Sequence, residues 1–197
     1  MAKPAVPNRR EDILKAARHA FKESGYEKAH VAEIAKRAGV AKGTVYLYFE
    51  SKQAMLDALC DRYQEMISDA ILPTLQNPDA HAAIKDAVHA GLAVASNERD
   101  LLKLLDLRLG LAAGGAAIEN PGGQKILRRF FRERVANGDM LDYEPVIASE
   151  LTGGFVQWIA KLCLLWRNLD ISRYEDTAVR MLQEALLSKN SNGGSRK

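Results

Sequence analysis

Glu27 and His30 stand three residues apart, the spacing at which one helix presents a carboxylate and an imidazole to a bridged metal pair. Such a centre needs a second Glu-x-x-His and two further glutamates, and the chain holds no second copy. Asp86 and His89, with His81 two turns earlier, share one helical face, yet no cysteine or second carboxylate cluster joins them, so solvated or pocket-lining roles are expected. Cys60 and Cys163 lie far apart in sequence and match no metal-ligand or C-x-x-C spacing; they read as free thiols. The glycines at 114, 115, 122 and 123 precede Gln124 and Lys125 rather than the Lys-Ser/Thr ending of a phosphate-binding loop, which makes this stretch a flexible joint. Arg128, Arg129, Arg132 and Arg134 alternate with inward-facing Phe130 and Phe131 and read as a solvated face. No nucleophile-base arrangement and no paired carboxylates in an apolar setting are present, so no catalytic residue, metal ligand or cofactor is expected and the chain is not read as an enzyme.

A different chemistry is written between residues 42 and 52. In Lys42-Gly43-Thr44-Val45-Tyr46-Leu47-Tyr48-Phe49, helical periodicity buries only Val45 and Phe49. Lys42, Thr44, Tyr46, Leu47 and Tyr48 are left outside, and Lys52 flanks them. Hydroxyl and ammonium groups so displayed suit phosphate oxygens and base edges. Gly43 costs its helix about 1 kcal/mol relative to alanine, which a close backbone approach to a phosphate would explain. Charge agrees: residues 1–52 hold 11 Lys and Arg against 6 Asp and Glu, whereas the remainder of the 197-residue chain holds 17 against 19.

The elements that position this surface are helical throughout, with no strand-like alternation, so the fold class is all-α. Asn8 caps a first helix that carries Ile13, Leu14, Ala17, Ala20 and Phe21 on one face and ends at Gly25. A short helix follows His30, with Val31, Ile34, Ala35 and Ala38 inward, and Gly39 supplies the positive φ of a tight turn into the helix from Ala41 to Phe49. Helix, glycine turn and helix over residues 31–49 have the spacing of a helix-turn-helix. Ser51 caps a long fourth helix striped by Met55, Leu56, Leu59, Tyr63, Met66 and Ile67, which Pro73 stops. Further helices are expected over 79–95, 98–112 and 122–137, from Pro145 to about Leu169, and from a Ser172–Glu175 capping box to about Ser188. Residues 190–197 read as a disordered tail. The N-terminus lacks a signal-peptide run and no apolar stretch reaches membrane-spanning length, so a cytoplasmic protein is expected, with no membrane partner.

The stretch from Gly25-Tyr26 through Val31-Ala32-Glu33-Ile34-Ala35-Lys36-Arg37-Ala38-Gly39-Val40 to Lys42-Gly43-Thr44-Val45-Tyr46-Leu47-Tyr48-Phe49 and Lys52 resembles the DNA-binding domain of the TetR family of bacterial repressors. The resemblance covers about a quarter of the chain. It implies about nine helices, a homodimer whose third helix enters the major groove, and an inducer pocket in the C-terminal part. Carried over by position, Thr44 and Tyr46 touch the DNA backbone, Lys42, Leu47 and Tyr48 lie at or near base edges, and Lys52 holds a phosphate. Ala41 departs from the usual capping serine or threonine of the recognition helix, and His30 stands where a threonine often opens the second helix.

The expected organisation is a helix-turn-helix DNA-binding domain over 1–52, a ligand-sensing and dimerisation domain over 53–189, and the tail. The helix from Pro145 carries Ile147, Leu151, Phe155, Trp158, Ile159, Leu162, Leu165 and Trp166, apolar around more of its circumference than one core face requires. With Val179, Leu182 and Leu186 of the last helix, the residues Phe155, Trp158, Leu162 and Trp166 are expected to build a two-fold four-helix interface, and a palindromic double-stranded operator would follow. A small, mainly apolar inducer is expected beside Tyr63, Met66, His89, Leu105 and Trp158, releasing the repressor from DNA. The alternatives are a ligand-independent helix-turn-helix adaptor and, less favoured, a small helical-bundle enzyme.

Overall fold

The computed structural model describes residues 8–111 and 121–188. These carry nine α-helices: α1 Arg9–Ser24, α2 Val31–Arg37, α3 Lys42–Tyr48, α4 Lys52–Ile71, α5 Ala80–Asn97, α6 Arg99–Leu111, α7 Pro121–Ala136, α8 Pro145–Lys161 and α9 Ile171–Leu186. The expected all-α class and the helix order hold. Residues 112–120 of the expected glycine joint and the expected tail lie outside the described residues, while Gly122 and Gly123 fall in the first turn of α7. Among the described residues no helix is long and apolar enough to cross a membrane.

The described residues form two compact units. The first comprises α1 to α3, α4 as far as Arg62, and α6 from Lys103. Asn8 caps α1 through its side-chain oxygen, which accepts from Glu11 N at 3.3 Å. The apolar face of α1 is buried as periodicity demands, Ile13 and Ala17 completely. Gly25 ends it at φ +78°. Its core is completed by Ile34, Val45, Phe49, Met55, Leu56 and Leu105.

The second unit holds Tyr63–Leu102 and the C-terminal part. Here α5 packs on α8 and α9, and α7 on α8. Phe130 and Phe131 of α7 are buried and meet edge to face. As expected, α4 stops ahead of Pro73, at Ile71, and a 3-10 turn follows at Thr74–Gln76. Three expectations are corrected here. The helix from Pro145 does not run to Leu169: it widens into a π-turn over Leu162–Trp166, where Arg167 N bonds Leu162 O at 3.0 Å, and stops as Asn168 takes φ +48°. The cap of α9 is Asp170, not Ser172, because its carboxylate accepts from Ser172 N at 3.1 Å. Arg134 is not part of a solvated face. It is buried beneath the Phe130 ring and donates to the carbonyls of Asn77 and Pro78 and to Asp139, tying the end of α7 to the start of α5.

Candidate nucleic-acid interface

The helix-turn-helix is set by its turn. At the end of α2, Val40 N bonds Ala35 O at 3.0 Å and Gly39 N bonds Lys36 O at 3.2 Å, with Gly39 at φ +67°. This doubly bonded glycine stop satisfies the last carbonyls of α2 and aims the chain into α3 after two more residues. Ile34 and Ala35 on one side and Val45 on the other are buried, while Val31 and Ala38, expected inward, are half-buried at the edge. Arg37 joins α2 to α1 through Glu23 and pairs within α2 with Glu33 at 3.1 Å.

On α3 only Val45 is buried, and Phe49 is buried just beyond it beneath the Arg10 guanidinium, 5.0 Å from its ring centre. Lys42, Gly43, Tyr46, Leu47 and Tyr48 are exposed, and Thr44 is half-buried. Leu47 is the extreme case at 82 % exposure. A leucine held in water on a packed helix gains nothing from the fold of its own unit. Neither Ala41 nor His30 caps its helix with a side-chain hydrogen bond, as their residue types foretell. Among the described residues an added Cβ on Gly43 would meet nothing within 4 Å, and its φ is not positive, so no contact they make requires glycine there.

Lys52 departs from the outward placement expected of a phosphate ligand. Its Nζ donates to the carbonyls of Tyr26 at 2.8 Å, Glu27 at 3.1 Å and Ala29 at 3.3 Å, and stands 4.4 Å from the centre of the Tyr26 ring. Spacing had no way to reveal this socket, since its three acceptors are backbone atoms of a distant turn.

The residues expected around an inducer are not all interior. Tyr63 is buried, its phenol pushed well above the usual range by burial, and Met66 is half-buried. Leu105 is buried in the other unit. His89 and Trp158 face solvent, correcting the inward placement: His89 joins Glu175 of α9 at 2.8 Å on the outside of its unit, and Trp158 is 51 % exposed.

The interface residues also divide. Trp158 and Trp166 are exposed and Phe155 and Leu162 half-buried, but Val179, Leu182 and Leu186 are buried within the chain, where α9 turns its strongly apolar side toward α5 and α8. Ile147, Leu151 and Met181 are exposed instead, Leu151 at 70 %. Ile147, Leu151, Gly154 and Trp158 recur at helical spacing along one face of α8, and a Cβ on Gly154 would meet nothing within 4 Å. Among the described residues no three His, Cys, Asp or Glu side chains are grouped to hold a metal ion. Asp86 is exposed and His81 half-buried on α5, and Glu27 and His30 are exposed in the turn before α2.

Residues 13–59 match the family model of bacterial regulatory proteins of the tetR family. The uncharacterised HTH-type transcriptional regulator YvdT of Bacillus subtilis is 32 % identical over 95 residues, 48 % of this chain and 49 % of that protein. The chain thus spans about half the length, or less, of the first curated relatives it matches. Similar solved structures include SmeT, the repressor of the Stenotrophomonas maltophilia multidrug efflux pump SmeDEF, at 22 % identity, 95 % of each chain and a TM-score of 0.72. FadR of Bacillus subtilis in complex with stearoyl-CoA is 20 % identical over 87 % of this chain and 96 % of its own, also with a TM-score of 0.72. At these identities the structural likeness speaks for the fold.

Proposed function

From the match of residues 13–59 to the tetR family model and the fold shared with solved regulators, we propose that the chain is a tetR-family protein, a homodimeric transcriptional repressor that leaves a palindromic operator when a mainly apolar ligand binds. The observation that carries the reading is the outer face of α3, where Lys42, Thr44, Tyr46, Leu47 and Tyr48 surround a single buried anchor, Val45. Thr44 and Tyr46 hold phosphate oxygens, Lys42, Leu47 and Tyr48 reach base edges, and Gly43 lets a phosphate approach the backbone. Residues 1–52 act as the DNA-binding domain and residues 53–189 as the sensing and dimerisation domain, working in the cytoplasm.

Dimerisation uses the α8 face of Ile147, Leu151, Gly154, Phe155 and Trp158, extended by Leu162, Trp166 and Met181. Ile147, Leu151, Trp158, Trp166 and Met181 are exposed in the single chain, the kind of apolar surface a second copy would cover. Ligand sensing is placed beside Tyr63 and Met66 of α4, a helix shared by both units, so that a ligand preferring one setting of α4 shifts the population of DNA-competent dimer. The stearoyl-CoA held by FadR supports a long apolar ligand.

The test is selection of duplexes from a random pool by the full-length protein, followed by a screen of acyl and drug-like compounds for release of the bound duplex. Recovery of an inverted repeat supports the reading. Failure to enrich any duplex at low salt sinks it, and a repeat that no compound releases removes the sensing half alone.

A further inference from the structure

The Lys52 ammonium has three N–H donors, and the structure directs them at three carbonyls that converge from one turn. Those carbonyls belong to Tyr26, Glu27 and Ala29, the link between α1 and α2, where Gly25 has broken the helix and Ala29 N turns back toward the carbonyls of Gly25 and Tyr26. Tyr26 is held further. Its ring lies under the ammonium, packs edge to face on Phe21 at 5.3 Å, and its hydroxyl donates to Gln53 Oε1 at 2.9 Å. The first two residues of α4 therefore grip the turn that leads into α2. Ser51 caps the same helix end, accepting from Ala54 N at 3.0 Å, and Phe49 closes α3 two residues earlier.

We propose that Lys52 is a positioning residue of the DNA-binding surface: it locks the start of α4 to the α1–α2 turn, so that α3, strung between α2 and α4, is held at one angle, and it does not bind a phosphate itself. The inference rests on the DNA-binding reading above. A lysine spending all three donors on carbonyls has none to turn toward a phosphate without leaving the turn unsatisfied. Arginine is no substitute, because its planar fork cannot aim at three carbonyls around a point.

The experiment uses the full-length protein and a duplex of about 30 base pairs recovered from a random pool by the unmodified chain, a length of roughly three helical turns. Affinity is measured against salt concentration, well below the unfolding transition, for Lys52→Met, Lys52→Arg and the exposed control Lys42→Met. For Lys52→Met we expect affinity to fall about ten-fold or more for all duplexes alike, with the slope of log K against log salt unchanged, and no rescue in Lys52→Arg; the control Lys42→Met is expected instead to change which duplexes are preferred. Amide exchange at Ala29 and at the start of α2 is expected to quicken in both Lys52 variants.

A slope reduced by about 0.9 in Lys52→Met, with affinity restored in Lys52→Arg, would identify a phosphate ligand and overturn the proposal. A lower melting temperature with unchanged affinity of the folded protein would overturn it too, leaving a residue that only stabilises. If Lys52→Met does not fold, Lys52→Arg decides alone: normal affinity rejects the socket, weak affinity at unchanged slope upholds it. If the unmodified chain recovers no duplex, the DNA-binding reading has failed and this inference falls with it, a result distinct from every other.

Discussion

Arg108 on α6 donates from Nη1 to the Asp61 carboxylate on α4 at 3.0 Å and reaches the carbonyl of Asp57, one turn earlier, at 3.4 Å. Its Nε is shielded from solvent and has no acceptor among the described residues. The guanidinium is thus mostly buried with an unmatched donor, while Asp61 stays largely in water. Replacing Arg108 with methionine forfeits its ion pairs to Asp61 and Asp57 but also removes the stranded N–H, and is expected to change stability by no more than about 1 kcal/mol. Arg108→Ala additionally empties the space of the side chain and should cost about 1–3 kcal/mol. Denaturant melts of the two variants check this; equal losses would show that the ion pairs, rather than packing, dominate.

Gly43→Ala separates folding from binding. With open space where its Cβ would stand and a helical backbone, alanine should raise the stability of the free protein by up to about 1 kcal/mol. Affinity for a selected duplex should fall, because a methyl group would stand between the backbone and the approaching phosphate. Unchanged affinity would remove Gly43 from the contact surface.

Leu151→Glu and Trp158→Glu place a carboxylate on the exposed apolar face of α8, where each side chain is already solvated in the single chain. Folding of the chain should survive either change, within about 0.5 kcal/mol. Sedimentation at micromolar concentration should show a dimer for the unmodified protein and a monomer for both variants, and the affinity for an inverted repeat should collapse with the dimer. Val179→Glu, buried against the chain's own core, should instead unfold it.

Glu144 caps α8, its carboxylate accepting from Ile147 N and Val146 N, and these bonds hold its pKa below the ordinary glutamate value. Glu11 is lowered in the same sense by its hydrogen bond to Arg62. A carboxyl depressed by folding lends stability that is complete above its unfolded value and disappears as pH falls through the folded one. The melting temperature of Glu144→Gln should therefore lie below that of the unmodified protein at neutral pH, and the gap should close on acidification. A gap independent of pH would mean the charge contributes nothing.

Cys60 is fully buried and its thiol is pushed up to about 12, chiefly by desolvation; burial also raises Cys163. Since the thiolate is the reactive form, Cys60 stays almost wholly protonated, and unreactive, near pH 8. A thiol reagent should modify neither residue until the protein is unfolded by denaturant. Rapid labelling of the native protein would reveal an opening of the unit around Cys60.

What was legible in the residues themselves was everything governed by local periodicity and backbone need. Ile13, Leu14, Ala17 and Phe21 had to face inward on α1, Gly39 had to stop α2, and the outward set on α3 followed from counting positions around Val45 and Phe49. Tertiary structure decided whatever depends on which face meets which neighbour. Lys52 and Arg134 both look like solvent-seeking cations in sequence, yet each finds a group of carbonyls on a remote turn that desolvates and holds it. His89 and Trp158 lie on helices whose apolar circumference is wide enough to permit more than one inward side, and packing turned both outward. On α9 the opposite happened: Val179, Leu182 and Leu186 form so narrow and apolar a stripe that α5 and α8 of the same chain bury it, while the face of α8 around Leu151 stays exposed. A helix's own sequence states how much of its surface must leave water, but only the arrangement of the other helices determines whether the chain itself or a second molecule covers it.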